Sequence, residues 1–337
     1  PATSSVSWST DSMDLSFLNS IDAEIKLNIS SLFKDDLVLE KITSSLLIQE
    51  GTLKLPDFKG MFYGGILTAN TTLRGSKKSQ LSFRLSIEKA SLQRALSKAQ
   101  QGDIKVVKGD LSTMLTFNTQ GSSIYDFVSH LTGTFSLKAE NGVLNGFDLQ
   151  AVNQKIKTLR SGEALASLFS NFMMKGQTKF SSCVLDVSFQ NGFGTIQKMS
   201  ILADGGEGKG QGTINLLAKT LDVVSTFTLT QSADIPAFKM RIYGSFDDPS
   251  KELDTSALQA YVLKAVVNKV TDVLSKGKDV GGAVGGVVGD LLGGLTGQKK
   301  RAPDAANNNK APASNDAGAD PLKDPAKAIG GLLKGLL

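Results

Sequence analysis

Two residue types that build many reactive sites are almost missing from this chain. Its 337 residues include one cysteine, Cys183, and one histidine, His130. A single cysteine excludes an intrachain disulfide. The two counts together exclude a zinc site made of Cys and His ligands. Aromatic residues are 7 % of the chain, with 1 Trp and 4 Tyr, and Pro is low at 8 residues. No run of 18 apolar residues occurs, so no transmembrane helix is expected. No secretory leader is visible, and Pro1 in place of Met reads as the start of a fragment or a processed product. Net charge is only +5, and the lysines are scattered without interleaved aromatics, which argues against a nucleic-acid partner.

What is abundant is alternation. Ile21, Ala23, Ile25, Leu27 and Ile29 alternate with Asp22, Glu24, Lys26 and Asn28. The same period of two runs through Leu67 to Leu73, Leu81 to Ile87 (Phe83 and Leu85 included) and Leu111 to Phe117 (Leu115 included). It returns in Phe135, Leu137 and Ala139, in Cys183, Leu185, Val187 and Phe189, in Leu221 to Leu229 (Phe227 included), and in Phe238, Met240 and Ile242. Period two marks antiparallel strands with one apolar and one wet face. Strands of seven to ten residues would span about 23–33 Å. The pattern predicts a mainly β protein of α+β type, an antiparallel sheet with one apolar face that is extended by similar hairpin units.

Helical spacing interrupts the strands at 89–99, at 122–131 with Ser122 or Ser123 as N-cap, and twice within 148–173 around Ser161 and Gly162. Glycine turns recur at Glu50-Gly51, Asn141-Gly142 and Asn191-Gly192, each read as a hairpin signal. The alternation stops at Asp247, Asp248 and Pro249. The chain therefore divides into a β-groove domain at 1–254, an amphipathic helix and Gly-rich segment at 255–297, a linker without apolar residues enough to fold at 298–324, and a short amphipathic helix at 325–337. In the first helix, capped by Asp254 or Thr255, the expected cover is the protein's own sheet. In the last, Ile329, Leu332, Leu333, Leu336 and Leu337 share a face, and that face is expected on a membrane surface or a partner.

The cluster from Gly205 to Gly212 fails as a phosphate loop, because Ala203 stands where the first Walker glycine belongs and Gly210 follows Lys209. It reads as a glycine-rich hairpin or strand entry. His130 has Asp126 four residues earlier, which reads as a surface pair on a helix. Cys183 sits among apolar neighbours and reads as packing. Asp35-Asp36 and Asp247-Asp248 read as turns, and the Asn28 and Asn70 sequons fall inside strands. With one histidine and no nucleophile elbow the chain reads as no enzyme, although a Ser–Lys dyad stays open. An outer-membrane barrel would carry aromatic girdles that are lacking here. No cofactor or metal is expected.

Several segments, in order, resemble the C-terminal part of an AsmA family protein. They are Trp8 to Leu15 (WSTDSMDL) with Leu18, Gly51 to Leu55, Tyr63 to Leu67, Gly121 to Ser123, and Leu131 to Phe135. Asn141 to Leu149, Gly210 to Leu216, Ile235-Pro236 and Gly244 to Pro249 complete the set, which ends near residue 254. The resemblance implies a bridge-like lipid-transfer protein of the repeating β-groove type, an elongated, curved antiparallel sheet forming an apolar groove. It implies a place in the periplasm of Gram-negative bacteria, anchored in the inner membrane by an N-terminal helix that this chain lacks. The implied task is moving phospholipid between inner and outer membranes in support of outer-membrane biogenesis. The alternative is an assembly factor for outer-membrane proteins, acting by contacts with envelope proteins. The groove candidates are Ile25, Leu27, Leu67, Phe83, Leu85, Leu115, Phe117, Phe135, Leu137, Leu185, Val187, Phe227, Leu229, Met240 and Ile242. The expected partners are phospholipid and, through the C-terminal helices, a membrane surface.

Overall fold

The computed structural model describes residues 8–34, 37–97, 105–145, 148–156, 176–230 and 235–261, with helical positions at Lys264 and Asn268. Thirteen strands form one sheet in which every strand pairs with its neighbours in sequence. They are β1 (Ala23–Lys34), β2 (Leu37–Gln49), β3 (Thr52–Phe62), β4 (Gly65–Arg74), β5 (Ser79–Ser91), β6 (Lys105–Gly121) and β7 (Thr132–Asn145). They continue with β8 (Gln177–Gln190), β9 (Phe193–Ala203), β10 (Gly206–Asn215), β11 (Thr220–Leu229), β12 (Phe238–Ser245) and β13 (Pro249–Asp254). All pairings are antiparallel, and β1 and β13 do not meet, so the sheet is open and curved rather than a closed barrel. Thirteen strands at about 4.8 Å per step reach about 58 Å along the curved sheet. A twist of about 20–25° per step turns one end of it through most of a circle relative to the other.

The strands run longer than the expected seven to ten residues, with 17 in β6 and 14 in β7 and β8. Bulges let them run on without losing the face. Asn141-Gly142 is such a place and not a hairpin: Asn141 has φ 52° in the middle of β7, while Glu140 and Gly142 pair across it with Ser182 and Phe180. Gly142 is required there, since a Cβ would lie 1.8 Å from the Phe180 ring. Glu50-Gly51, Tyr63-Gly64 and Asn191-Gly192 are true two-residue hairpins, each with two positive φ values. That is the turn geometry whose twist matches paired strands.

Short helices occupy the strand ends. α1 (Leu92–Ala95) is capped by Ser91, whose hydroxyl accepts from the Arg94 N–H. It is far shorter than the helix expected over 89–99, because β5 pairs with β6 as far as Ser91 and takes the first residues. α2 (Ile124–Ser129) is capped by Ser123, and α3 (Leu149–Ile156) starts at Asp148, whose carboxylate accepts from the Ala151 N–H at 2.8 Å. Residues 256–261 are helical, and Asp254 accepts from the N–H and hydroxyl of Ser256 at their start. The second helix expected within 148–173, most of the one expected to Lys276, the Gly-rich segment to 297, Asp35-Asp36 and everything from 298 on lie outside the described residues.

Because consecutive strands alternate direction, the connections sort into two rims. One rim carries the turns at 50–51, 75–78, α2, 191–192, 216–219 and 246–248. The other carries 63–64, α1, α3, 204–205 and the helix at 256. Neighbouring turns bond to one another along each rim. On the first, Gly75 N–H donates to Gly51, Gly192 to Leu131, Leu216 to Gly192 and Phe246 to Lys219, all at 2.8–3.0 Å. On the second, Ser91 donates to Tyr63, Asp204 to Lys179 and Thr230 to Gly205.

Candidate functional site

The register sets the site. Leu67, Ile87, Thr113, Leu137, Leu185 and Met199 form one cross-strand row from β4 to β9. Ala69, Leu85, Leu115, Phe135, Val187 and Ile196 form the next. Phe83 pairs with Phe117, and Phe117 meets Phe189 edge-on at 6.0 Å across Gly133. At the β1 end Ile25, Leu27 and Ile29 face Leu46, Ser44 and Ile42. Toward β13, Val223 faces Ile242, Ser225 faces Met240 and Phe227 faces Phe238. All fifteen candidate residues of the sheet therefore lie on one face.

No second sheet covers that face among the described residues. Yet Phe135, Leu137, Val187 and Ile242 are buried, while Leu85, Leu115, Phe117, Leu185 and Met240 are half-buried. Side chains of one sheet reach such burial when the sheet curls and its apolar face closes on itself. The floor is a packed cluster running from Leu67 on β4 to Ile242 on β12. Phe227 and Leu229 stand apart from it. With Phe238 they pack beneath Leu149, Val152 and Ile156 of α3 and Leu258 of the last helix. The Phe227 and Phe238 rings stack at 5.4 Å.

Glycine shapes the curl at β10. Gly206, Gly208, Gly210 and Gly212 take four successive positions on the apolar face. A Cβ on Gly208 would meet Ile201 and Phe227 at 2.8 and 2.9 Å, and one on Gly210 would meet Met199 Sδ at 2.5 Å. The large side chains of β9 and β11 thus lean into the space that glycine leaves. The cluster forms a turn and a strand, as its residue pattern indicated, and has no phosphate-loop geometry.

The opposite face is mostly polar, with Ile66, Met114 and Leu202 exposed on it, and is internally tied. Arg241 donates two bonds to Asp222, each 2.8 Å, and this pair holds the Asp222 carboxyl below its ordinary value. Lys138 meets Glu140 at 2.7 Å, and the Ser136 hydroxyl donates to Asp186.

Sequence reasoning missed the role of the segment before β1. It runs along the first rim. Trp8 Nε1 donates to the Leu216 carbonyl at 2.8 Å under the Lys219 ammonium, 4.4 Å from the ring centroid. Tyr125 N–H donates to Ser9, Met13 N–H donates to Ser122, and Leu18 is fully buried beside Gly75. The lone Trp was the only signal.

The reactive candidates resolve as structural groups. His130 caps the end of α2, its Nδ1 2.9 Å from the Asp126 carbonyl rather than the carboxylate. The carboxylate turns back to accept from Ser122 N–H and hydroxyl, which lowers its pKa. This corrects the expected His–Asp side-chain pair. Burial pushes the Cys183 thiol up, the direction of an unreactive group. Asn70 donates to the Pro56 carbonyl at 2.8 Å. Among the described residues no metal-binding cluster occurs and no helix is long and apolar enough to cross a membrane. Ile329, Leu332, Leu333, Leu336 and Leu337 lie outside the described residues.

The fold is thus a long open antiparallel sheet with one apolar face. The family model described as AsmA family matches residues 2–199, more than half of the chain, and the chain belongs to that family. Comparisons with curated proteins and with solved structures return no match.

Proposed function

We propose that this chain binds phospholipid acyl chains along its apolar sheet face and conducts them within the cell envelope, in the periplasm between inner and outer membranes. The observation that carries this reading is the apolar face that runs across the sheet, half-buried along Leu85, Leu115 and Leu185, with no second sheet on it among the described residues. Membership of the AsmA family supports an envelope role. The energetics favour it. Each methylene removed from water is worth about 0.8 kcal/mol, so an exposed chain of about 16 carbons costs on the order of 12 kcal/mol. A continuous apolar surface lowers that barrier without nucleophile, metal or cofactor. We place the anchor in the inner membrane upstream of this chain, and the C-terminal residues Ile329, Leu332, Leu333, Leu336 and Leu337 on a membrane surface.

The test is native mass spectrometry with lipid extraction on the purified chain. Phospholipid should co-purify, and Leu85→Asp should lose most of it, while Met114→Asp on the outer face of the neighbouring strand should not. Circular dichroism confirms that both variants fold. A folded wild-type chain that never carries lipid overturns the reading and leaves the protein-assembly role.

A further inference from the structure

The two apolar clusters of the sheet are closed in different ways. The floor from Leu67 to Ile242 is closed by the curl of the sheet and by α1, whose Leu92 is buried in it with the adjoining Leu96. The second cluster lies on the same face, on Phe227 and Leu229 of β11 and Phe238 of β12, and α3 covers it with Leu149, Val152 and Ile156. The seat of α3 is smooth. A Cβ on Gly205 would lie 3.1 Å from the Gln150 backbone, and one on Gly206 would lie 2.9 Å from Leu149 Cδ2. Leu149 N–H donates to Thr178 Oγ1 at 3.0 Å, and Asn153 Nδ2 donates to the Gly205 carbonyl at 3.2 Å.

Asn153 is the weak point of this interface. It is 1 % exposed, on the buried face with Val152 and Ile156, and its Oδ1 has no hydrogen-bond partner. Asn145 Oδ1, at the end of β7 just before α3, is the other buried side-chain oxygen left unpaired among the described residues. An acceptor that has lost water and gained no donor disfavours the closed position and is relieved when the helix lifts.

We propose that α3 is a lid, and that beneath it Phe227, Leu229 and Phe238 form a second binding site for a phospholipid acyl chain. The site continues the groove, because Ala203 of β9 packs against both clusters. Its lining of stacked Phe rings, Leu, Val and Ile fits hydrocarbon and offers nothing to a charged headgroup. The inference rests on the lipid reading above. Because the three floor residues also hold the closed state together, substituting them costs stability, and the test acts on the lid instead.

Asn153→Leu keeps the size of the side chain and removes the unpaired oxygen. The Gly205 carbonyl keeps the Thr230 N–H as donor at 3.2 Å, so no new unpaired group arises. Hydrogen exchange read by mass spectrometry is followed on the full chain, before and after incubation with vesicles of phosphatidylethanolamine and phosphatidylglycerol, and bound lipid is extracted and counted. In the lipid-free chain α3 should exchange through an opening that leaves β8 and β10 protected. Loading should speed exchange at 149–156 and leave α1 unchanged. Asn153→Leu should slow exchange of α3 by about tenfold and slow lipid uptake with it. The loading arm needs no variant, so it stands even if Asn153→Leu folds poorly. Bound lipid with unchanged exchange at 149–156 overturns the lid and leaves the lipid reading intact. So does an Asn153→Leu chain whose α3 exchanges as fast as wild type. A folded chain that takes up no lipid overturns both.

Discussion

Single residues decide where this sheet bends. Gly208 sits between Ile201 and Phe227 with no room for a Cβ. Gly208→Val should therefore force both side chains off their rotamers and cost about 1–3 kcal/mol, read as a lower melting temperature with a retained β signal. Asp126 makes a different prediction. Its carboxyl is held below the ordinary 3.8, first by the Ser122 backbone N–H and then by the Ser122 hydroxyl. A depressed folded-state pKa means stabilisation that is present above the unfolded value and is lost as pH falls through the folded one. Asp126→Asn should thus melt lower than wild type at neutral pH, and the gap should close as pH drops below 3.8. A gap independent of pH would refute that role for the carboxylate. The half-buried Cys183 thiol, raised by burial, should react with a thiol reagent more slowly in the folded chain than in the unfolded one.

At the scale of elements, the rims carry the argument. Turns bond to turns, and the segment from Trp8 to Leu18 runs along one rim. Trp8→Phe removes the indole donor to Leu216 while keeping an aromatic ring. Hydrogen exchange should then rise at 9–13 and at 216–219, and stay unchanged at the opposite rim around 204–205. Elements were also where sequence and structure parted. The strands and their apolar face were readable because a period of two admits only one side to the core. Asn191-Gly192 was readable because those residues accept positive φ. Tyr63-Gly64 was not, since nothing local in Tyr favours φ 47°; it is held by the Ser91 bond, the Phe62 ring and the Arg94 guanidinium 4.9 Å from its ring. Asn141-Gly142 carries the same letters as a hairpin, but Phe180 from β8 packs on the glycine and the strand runs through. In both places a contact distant in sequence set the outcome.

For the whole molecule, the register fixed which side chains share a face, and alternation alone had already named them. What alternation could not give was their division into a packed floor and a second cluster under α3, because that depends on curl and on where the helices land. Leu229 and Phe227 look like any other alternating pair in sequence, yet they sit under Leu149, Val152 and Ile156. Substitution there should lower stability, whereas Leu115 and Leu85 should report on cargo.

The groove itself is tested most directly by site-specific photocrosslinking. A benzophenone amino acid placed at Leu115 on the apolar face, or next to it at Met114 on the outer face, is irradiated in cells and the adducts are identified by mass spectrometry. Phospholipid adducts are expected at 115 and none at 114. Equal labelling at both positions, or only protein adducts at 115, would contradict it.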